Sequence, residues 1–161
     1  MKNQQDLFVK MVLDQWFTQE KKTSDLFNEL TDDQLMNETS PGKNRGIYLL
    51  GHLTAVHDRM LPMLDFGAQL HPDLNALFLS SPDRTMDLPA VADLREHWKE
   101  VSQTMGAKMN GLTGTDWFAR HTAVSEEDYL KEPHRNKLNL IINRTNHLSS
   151  HYGQLLYLKQ K

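Results

Sequence analysis

The sequence predicts an all-α fold, a four-helix bundle with long connections between helices two and three and between helices three and four. Three observations lead there. Four long stretches carry apolar residues at spacings of three and four. No stretch alternates apolar and polar residues over the length of a strand. Prolines and glycines gather mostly between the periodic stretches. With 161 residues and 39% apolar content, the chain reads as a single domain over 1–161, long enough for one sizeable core.

The first helix is expected over 3–30, where Leu7, Phe8, Met11, Val12, Trp16 and Leu26 follow a 3.6-residue repeat. Thr31 is placed to cap a short helical turn at Asp32-Asp33-Gln34. Ser40-Pro41-Gly42-Lys43 reads as a loop. The second helix is expected from about 45 to 66, with Tyr48, Leu49, Leu53, Val56 and Met60 on its apolar side and Gly67 as a stop. Pro62 lies inside that span and is expected to kink the helix or end it early, because it lacks the interior N–H donor. Residues 67–89 hold Pro72, Pro82 and Pro89 and form the first long connection, with one short helix near 73–79. The third helix follows over about 90–112, through Val91, Leu94, Trp98, Val101, Met105 and Met109. Residues 113–133 form the second connection, with Trp117, Phe118 and a helical turn at 126–131. The fourth helix takes about 134–159. It is apolar around much of its circumference, with a second stripe through Leu138, Ile141, Leu148, Tyr152 and Leu156. A helix with two apolar stripes needs cover from loops or a partner, so a homodimer is expected.

Formal net charge is -3 and the isoelectric point about 6.2, which gives no electrostatic footprint for nucleic acid or an anionic membrane. There is no cysteine, so thiolate catalysis by the chain itself and cysteine-based zinc sites are excluded. Met1-Lys2-Asn3-Gln4-Gln5-Asp6 lacks the apolar core of a signal peptide. No apolar run approaches the ~20 residues needed to span a bilayer. The expected location is the cytoplasm.

His147 and His151 are four residues apart in the fourth helix, so their side chains share one face. Two neutral imidazoles in that arrangement can bind one transition-metal ion, but a site needs three or four ligands. His52 supplies a third candidate. On an ideal helix it lies within about 80° of Leu49, Val56, Met60 and Met63, so it too sits in an apolar stripe. Three inward-facing imidazoles without partners would leave desolvated nitrogens at about 1–3 kcal/mol each, and a shared ion satisfies them. His57 falls at about 140° from His52 and is read as a structural residue. His71, His97, His121 and His134 are read as solvent-exposed. Arg59 and Arg144 flank the ligand faces and are candidates to hold a substrate carboxylate.

The run Ile47-Tyr48-Leu49-Leu50-Gly51-His52-Leu53, with Pro41-Gly42-Lys43 before it and Asp58-Arg59-Met60 after it, resembles the second helix of the DinB-like superfamily of small helical bundles. His147-x-x-x-His151-x-Gly153-Gln154-Leu155 is similar to that family's last-helix motif. The resemblance implies a divalent metal, nickel or zinc, held by His52, His147 and His151. Tyr152 departs from the pattern, where a polar residue is more usual. The family contains enzymes that use low-molecular-weight thiols. A metal with an open position lowers the pKa of a bound thiol or water, and here any thiol must come from a small-molecule cosubstrate. Thiol transfer to an electrophile is therefore expected ahead of metal-assisted hydrolysis, for which no well-placed carboxylate base is evident. A non-catalytic, stress-related metal-binding protein is the third reading.

Overall fold

A computed structural model of the chain, describing residues 4–161, contains helices and no strand among those residues. Four long helices make its body: α1 (Gln4–Glu29), α3 (Gly46–Met63), α5 (Val91–Asn110) and α7 (Lys137–Leu155). Three short ones lie between them: α2 (Asp32–Leu35), α4 (Leu74–Phe78) and α6 (Glu126–Lys131). Helix α1 packs chiefly on α7, and α3 on α5, with thinner seams between α1 and α5 and between α3 and α7.

Helix directions follow from which ends share a core. One apolar cluster joins the end of α1 (Leu26, Phe27), the start of α3 (Leu49, Leu50, Leu53), the start of α5 (Val91, Leu94) and the end of α7 (Leu148, Leu155). The other joins the start of α1 (Val9, Trp16), the end of α3 (Met60, Leu61), the end of α5 (Met105, Met109) and the start of α7 (Leu138, Ile141). The helices therefore run up, down, down, up. Closely packed α3 and α5 are parallel, which forces the connection over 64–90 to travel the full length of the body. Asp58 ties that crossover down. Its buried carboxylate accepts from the backbone N–H groups of Leu70 at 2.8 Å and His71 at 2.9 Å.

The elements stop where their chemistry changes. Thr31 caps α2 through a reciprocal pair with Gln34. The backbone N–H of Arg45, ahead of α3, donates to Asp83 at 2.9 Å, and the Arg45 guanidinium pairs with the same carboxylate at 2.7 Å. Helix α3 ends at Met63, three residues earlier than expected. Pro62 is tolerated only near that end, and the chain then turns through left-handed Asp65 and Gly67. Helix α7 starts at Lys137 rather than 134, because the Asn136 side chain caps it by accepting from the Asn139 N–H. It gives way at Leu156 to a 3-10 turn through Gln160. Residue 3, expected in the first helix, lies outside the described residues.

The second stripe of α7 is largely covered within the protomer. Ile141 and Leu148 are fully buried, Tyr152 is partly buried and Leu156 is exposed. No helix among the described residues is long and apolar enough to cross a membrane.

Candidate metal centre

The site is built where the seam between α3 and α7 crosses the upper core. His52 projects from α3, and His147 and His151 lie one turn apart on α7. Their Nε2 atoms converge: His52 to His147 at 3.2 Å and His151 to His147 at 3.1 Å. The outward nitrogens of two rings are held. His52 Nδ1 donates to the Phe78 carbonyl at 2.9 Å, and His151 Nδ1 donates to Gln154 Oε1 at 2.8 Å. A histidine that donates from Nδ1 carries its lone pair on Nε2. Two lone pairs therefore point at the third ring, which has at most one Nε2 proton to share. A cation resolves that excess of acceptors. Metal–nitrogen bonds of about 2.0–2.1 Å at angles near 90–110° separate ligand nitrogens by roughly 2.9–3.4 Å, which brackets the two observed distances. Among the described residues, these three form the only group of His, Cys, Asp or Glu side chains close enough to share an ion.

The local sequence explains the placement. Gly51 lets the Phe78 ring rest directly on α3, where a Cβ would collide with it. That contact brings the Phe78 carbonyl beside His52 and Tyr48, whose hydroxyl donates to the same carbonyl at 3.2 Å. Gln154 follows His151 by three residues and shares its face. A surface cavity of about 290 Å3, lined by Gln154, Tyr157 and the 39–44 loop with Lys43, reaches the triad at His151. The Phe78 carbonyl carried no sequence signal. The loop did, through Pro41-Gly42-Lys43, and so did Gly51 beside His52, as a glycine inside an otherwise apolar helix.

Burial holds the His52 imidazole below its ordinary pKa, against the pull of the Phe78 carbonyl. Burial, then the neighbouring His151, His52 and Arg144, brings His147 down to about 4. Both shifts favour the neutral form that a ligating imidazole must have.

His57 does not join the triad. It is fully buried, its ring 4.9 Å from that of Trp16 and 5.1 Å from that of Trp98. Burial lowers its pKa to about 3. An imidazole with a depressed folded pKa contributes stability above its unfolded value, near 6.5, and that contribution is lost as pH falls toward 3. At pH 5 the loss from His57 is about 2 kcal/mol. Urea denaturation of His57→Phe should accordingly depend less on pH between 7 and 5 than that of the unchanged protein. An equal dependence would show that His57 is not the proton-sensitive group.

The other histidines correct the expectation of solvent exposure. Only His134 is exposed. His71 and His97 are stacked at 3.8 Å between ring centroids, with His71 Nε2 2.8 Å from Glu100. His121 is partly buried and held below its ordinary pKa, mainly by burial. Arg59 is exposed, whereas Arg144 is partly buried and its charge is opposed by burial and by Arg59.

A family model described as the DinB superfamily matches residues 15–155, a span that contains all three converging histidines. No curated protein matches the chain.

Proposed function

The chain belongs to the DinB superfamily, and we propose that it is a four-helix bundle binding a divalent metal ion, nickel or zinc, through His52, His147 and His151. The convergence of three Nε2 atoms at 3.1–3.2 Å, two of them oriented by outer partners, carries this reading. Such outer partners typically accompany ligating histidines. The triad is partly exposed and one of its members, His151, borders a cavity, which favours an ion with an open position over a closed structural site.

That open position would supply Lewis acidity, lowering the pKa of a small-molecule thiol so that it is a nucleophile near neutral pH. The sulfur lone pair then forms a bond to an electrophilic carbon, the leaving group departs with its electron pair, and the thiol proton passes to solvent. The chain's own residues have simpler tasks. Phe78 and Gln154 hold two rings in the ligating tautomer, and the 39–44 loop, with Lys43, lines the approach. Hydrolysis is less well supported. Asp58, the nearest carboxylate in sequence to a ligand helix, is buried and committed to the crossover backbone.

Thermal unfolding with and without added nickel or zinc tests the reading. The melting temperature should rise at pH 7, and the rise should shrink at pH 4 as the ligands protonate. No rise with either metal at pH 7 would overturn it.

A homodimer accompanies this proposal. Leu7, Phe8 and Met11 stay exposed on α1, beside a groove of about 290 Å3 against Ile142 and Thr145 of α7. Sedimentation at micromolar concentration should give twice the chain mass, and a clean monomer would remove the dimer.

A further inference from the structure

The two apolar clusters do not meet smoothly. Trp16 closes one and Trp98 closes the other, and the His57 ring lies between them. Buried polar atoms without partners include His57 Nε2 on α3 and Arg144 Nε and His147 Nδ1 on α7, besides Gln19 Nε2, Ser102 Oγ, His97 Nδ1 and His121 Nδ1. Helices α3 and α7 are antiparallel. His57 lies five residues past His52, and Arg144 three residues before His147, so both sit roughly 4.5–7.5 Å below the triad on the same side.

Two independent features say what this layer would accept. The first is the donor set. Arg144 Nε always carries a proton. His147 Nδ1 must carry one whenever its Nε2 ligates. His57 is a neutral imidazole that can present an N–H from Nε2. The second is charge. Arg144 has no ion-pair partner among the described residues, and the charged group that acts on it is a second cation, Arg59. A partly buried guanidinium without a counter-charge is costly until an anion arrives. Two histidine ligands have their outer acceptors within the chain, and His147 alone does not.

We propose that Arg144, His147 Nδ1 and His57 form a carboxylate-binding subsite in the middle of the bundle, directly beneath the metal position. Its ligand is a small organic acid, and Arg144 offers it the planar edge that suits two-oxygen recognition. Arg144 is only partly buried, so the layer is not sealed from solvent. The proposal depends on the metal reading only for the substrate's other end. The acid then becomes the outer partner of His147, so a substrate carrying both a thiol and a carboxylate would span the two.

The test uses propionate on the metal-free protein, read by intrinsic tryptophan fluorescence, since Trp16 and Trp98 flank His57. A saturable change is expected, weakened about tenfold or more in Arg144→Gln, while the nickel content of that variant after loading stays the same. Should Arg144→Gln not fold, Arg144→Lys, which keeps charge but lacks the Nε edge, is measured in its place with the same expectation. No saturable response, an equal response in the variant, or equal binding of inorganic phosphate would each overturn the carboxylate assignment, the first indicating a layer filled by water alone. Propionate binding in a protein that takes up no nickel would leave this subsite standing and remove the metal reading. With nickel bound, 3-mercaptopropionate should bind about tenfold or more tightly than 1-propanethiol.

Discussion

Replacing His147 by Ala is expected to weaken nickel or zinc binding by more than about a hundredfold, beyond the ~10–100-fold typical of losing an outer partner. His147 is the hub, with its Nε2 within 3.2 Å of both other ligand nitrogens, and two remaining imidazoles seldom hold an ion. His52→Ala should match it. Gln154→Ala should cost only the ~10–100-fold of an outer partner. His57→Ala is the informative contrast. It should leave metal affinity nearly unchanged while destabilising the fold, because it empties the space between Trp16 and Trp98. Calorimetric titration of the four variants decides the matter. If His57→Ala destroys binding and His52→Ala spares it, the ligand assignment is wrong.

The second large effect is expected at Gly51. A methyl group there collides with the Phe78 ring, which is itself fully buried. Overpacking costs typically 1–3 kcal/mol, and Gly51→Ala should fall at the upper end, about 3 kcal/mol by urea denaturation. Metal affinity should fall with it, because displacing Phe78 moves the carbonyl that orients His52. Gly153→Ala serves as the control. Gly153 is an exposed position of α7 with nothing within 4 Å of an added Cβ, so the substitution should stabilise the helix by roughly 0.5–1 kcal/mol. Equal destabilisation by both would mean that the Phe78 contact is not what Gly51 serves.

The helices were legible in the sequence through periodicity, and ideal geometry put His147 and His151 on one face, His52 in a stripe and His57 off it. The resemblance to the family then joined His52 to the α7 pair. That same geometry could not say what lies on the other side. His57 was read as a structural residue, correctly as to the triad, but its place between Trp16 and Trp98 depends on three helices at once. The exposure of His71 and His97 was misjudged because their stacking joins the crossover to α5, a contact between distant segments. The surplus stripe of α7 suggested a missing partner, whereas Ile141 and Leu148 find their cover within the protomer. The early end of α3 was half legible. Pro62 announced it, but the left-handed turn at Asp65 has no glycine to mark it. The Phe78 carbonyl is a main-chain atom, and no side-chain pattern encodes its position.

The two halves of the triad are separated by 95 residues of chain. Between them lie the crossover, α5 and the second connection. Contacts of such long sequence separation carry a large loop-closure entropy and form late. His147 and His151, by contrast, share one helix and are available as soon as α7 forms. During synthesis or refolding the chain would therefore offer first a weak two-ligand grip and only at the end a three-ligand one. Under the proposed metal reading, tight ion uptake would mark the completion of the topology, and a stopped-flow metal probe would report the last step of assembly rather than the first.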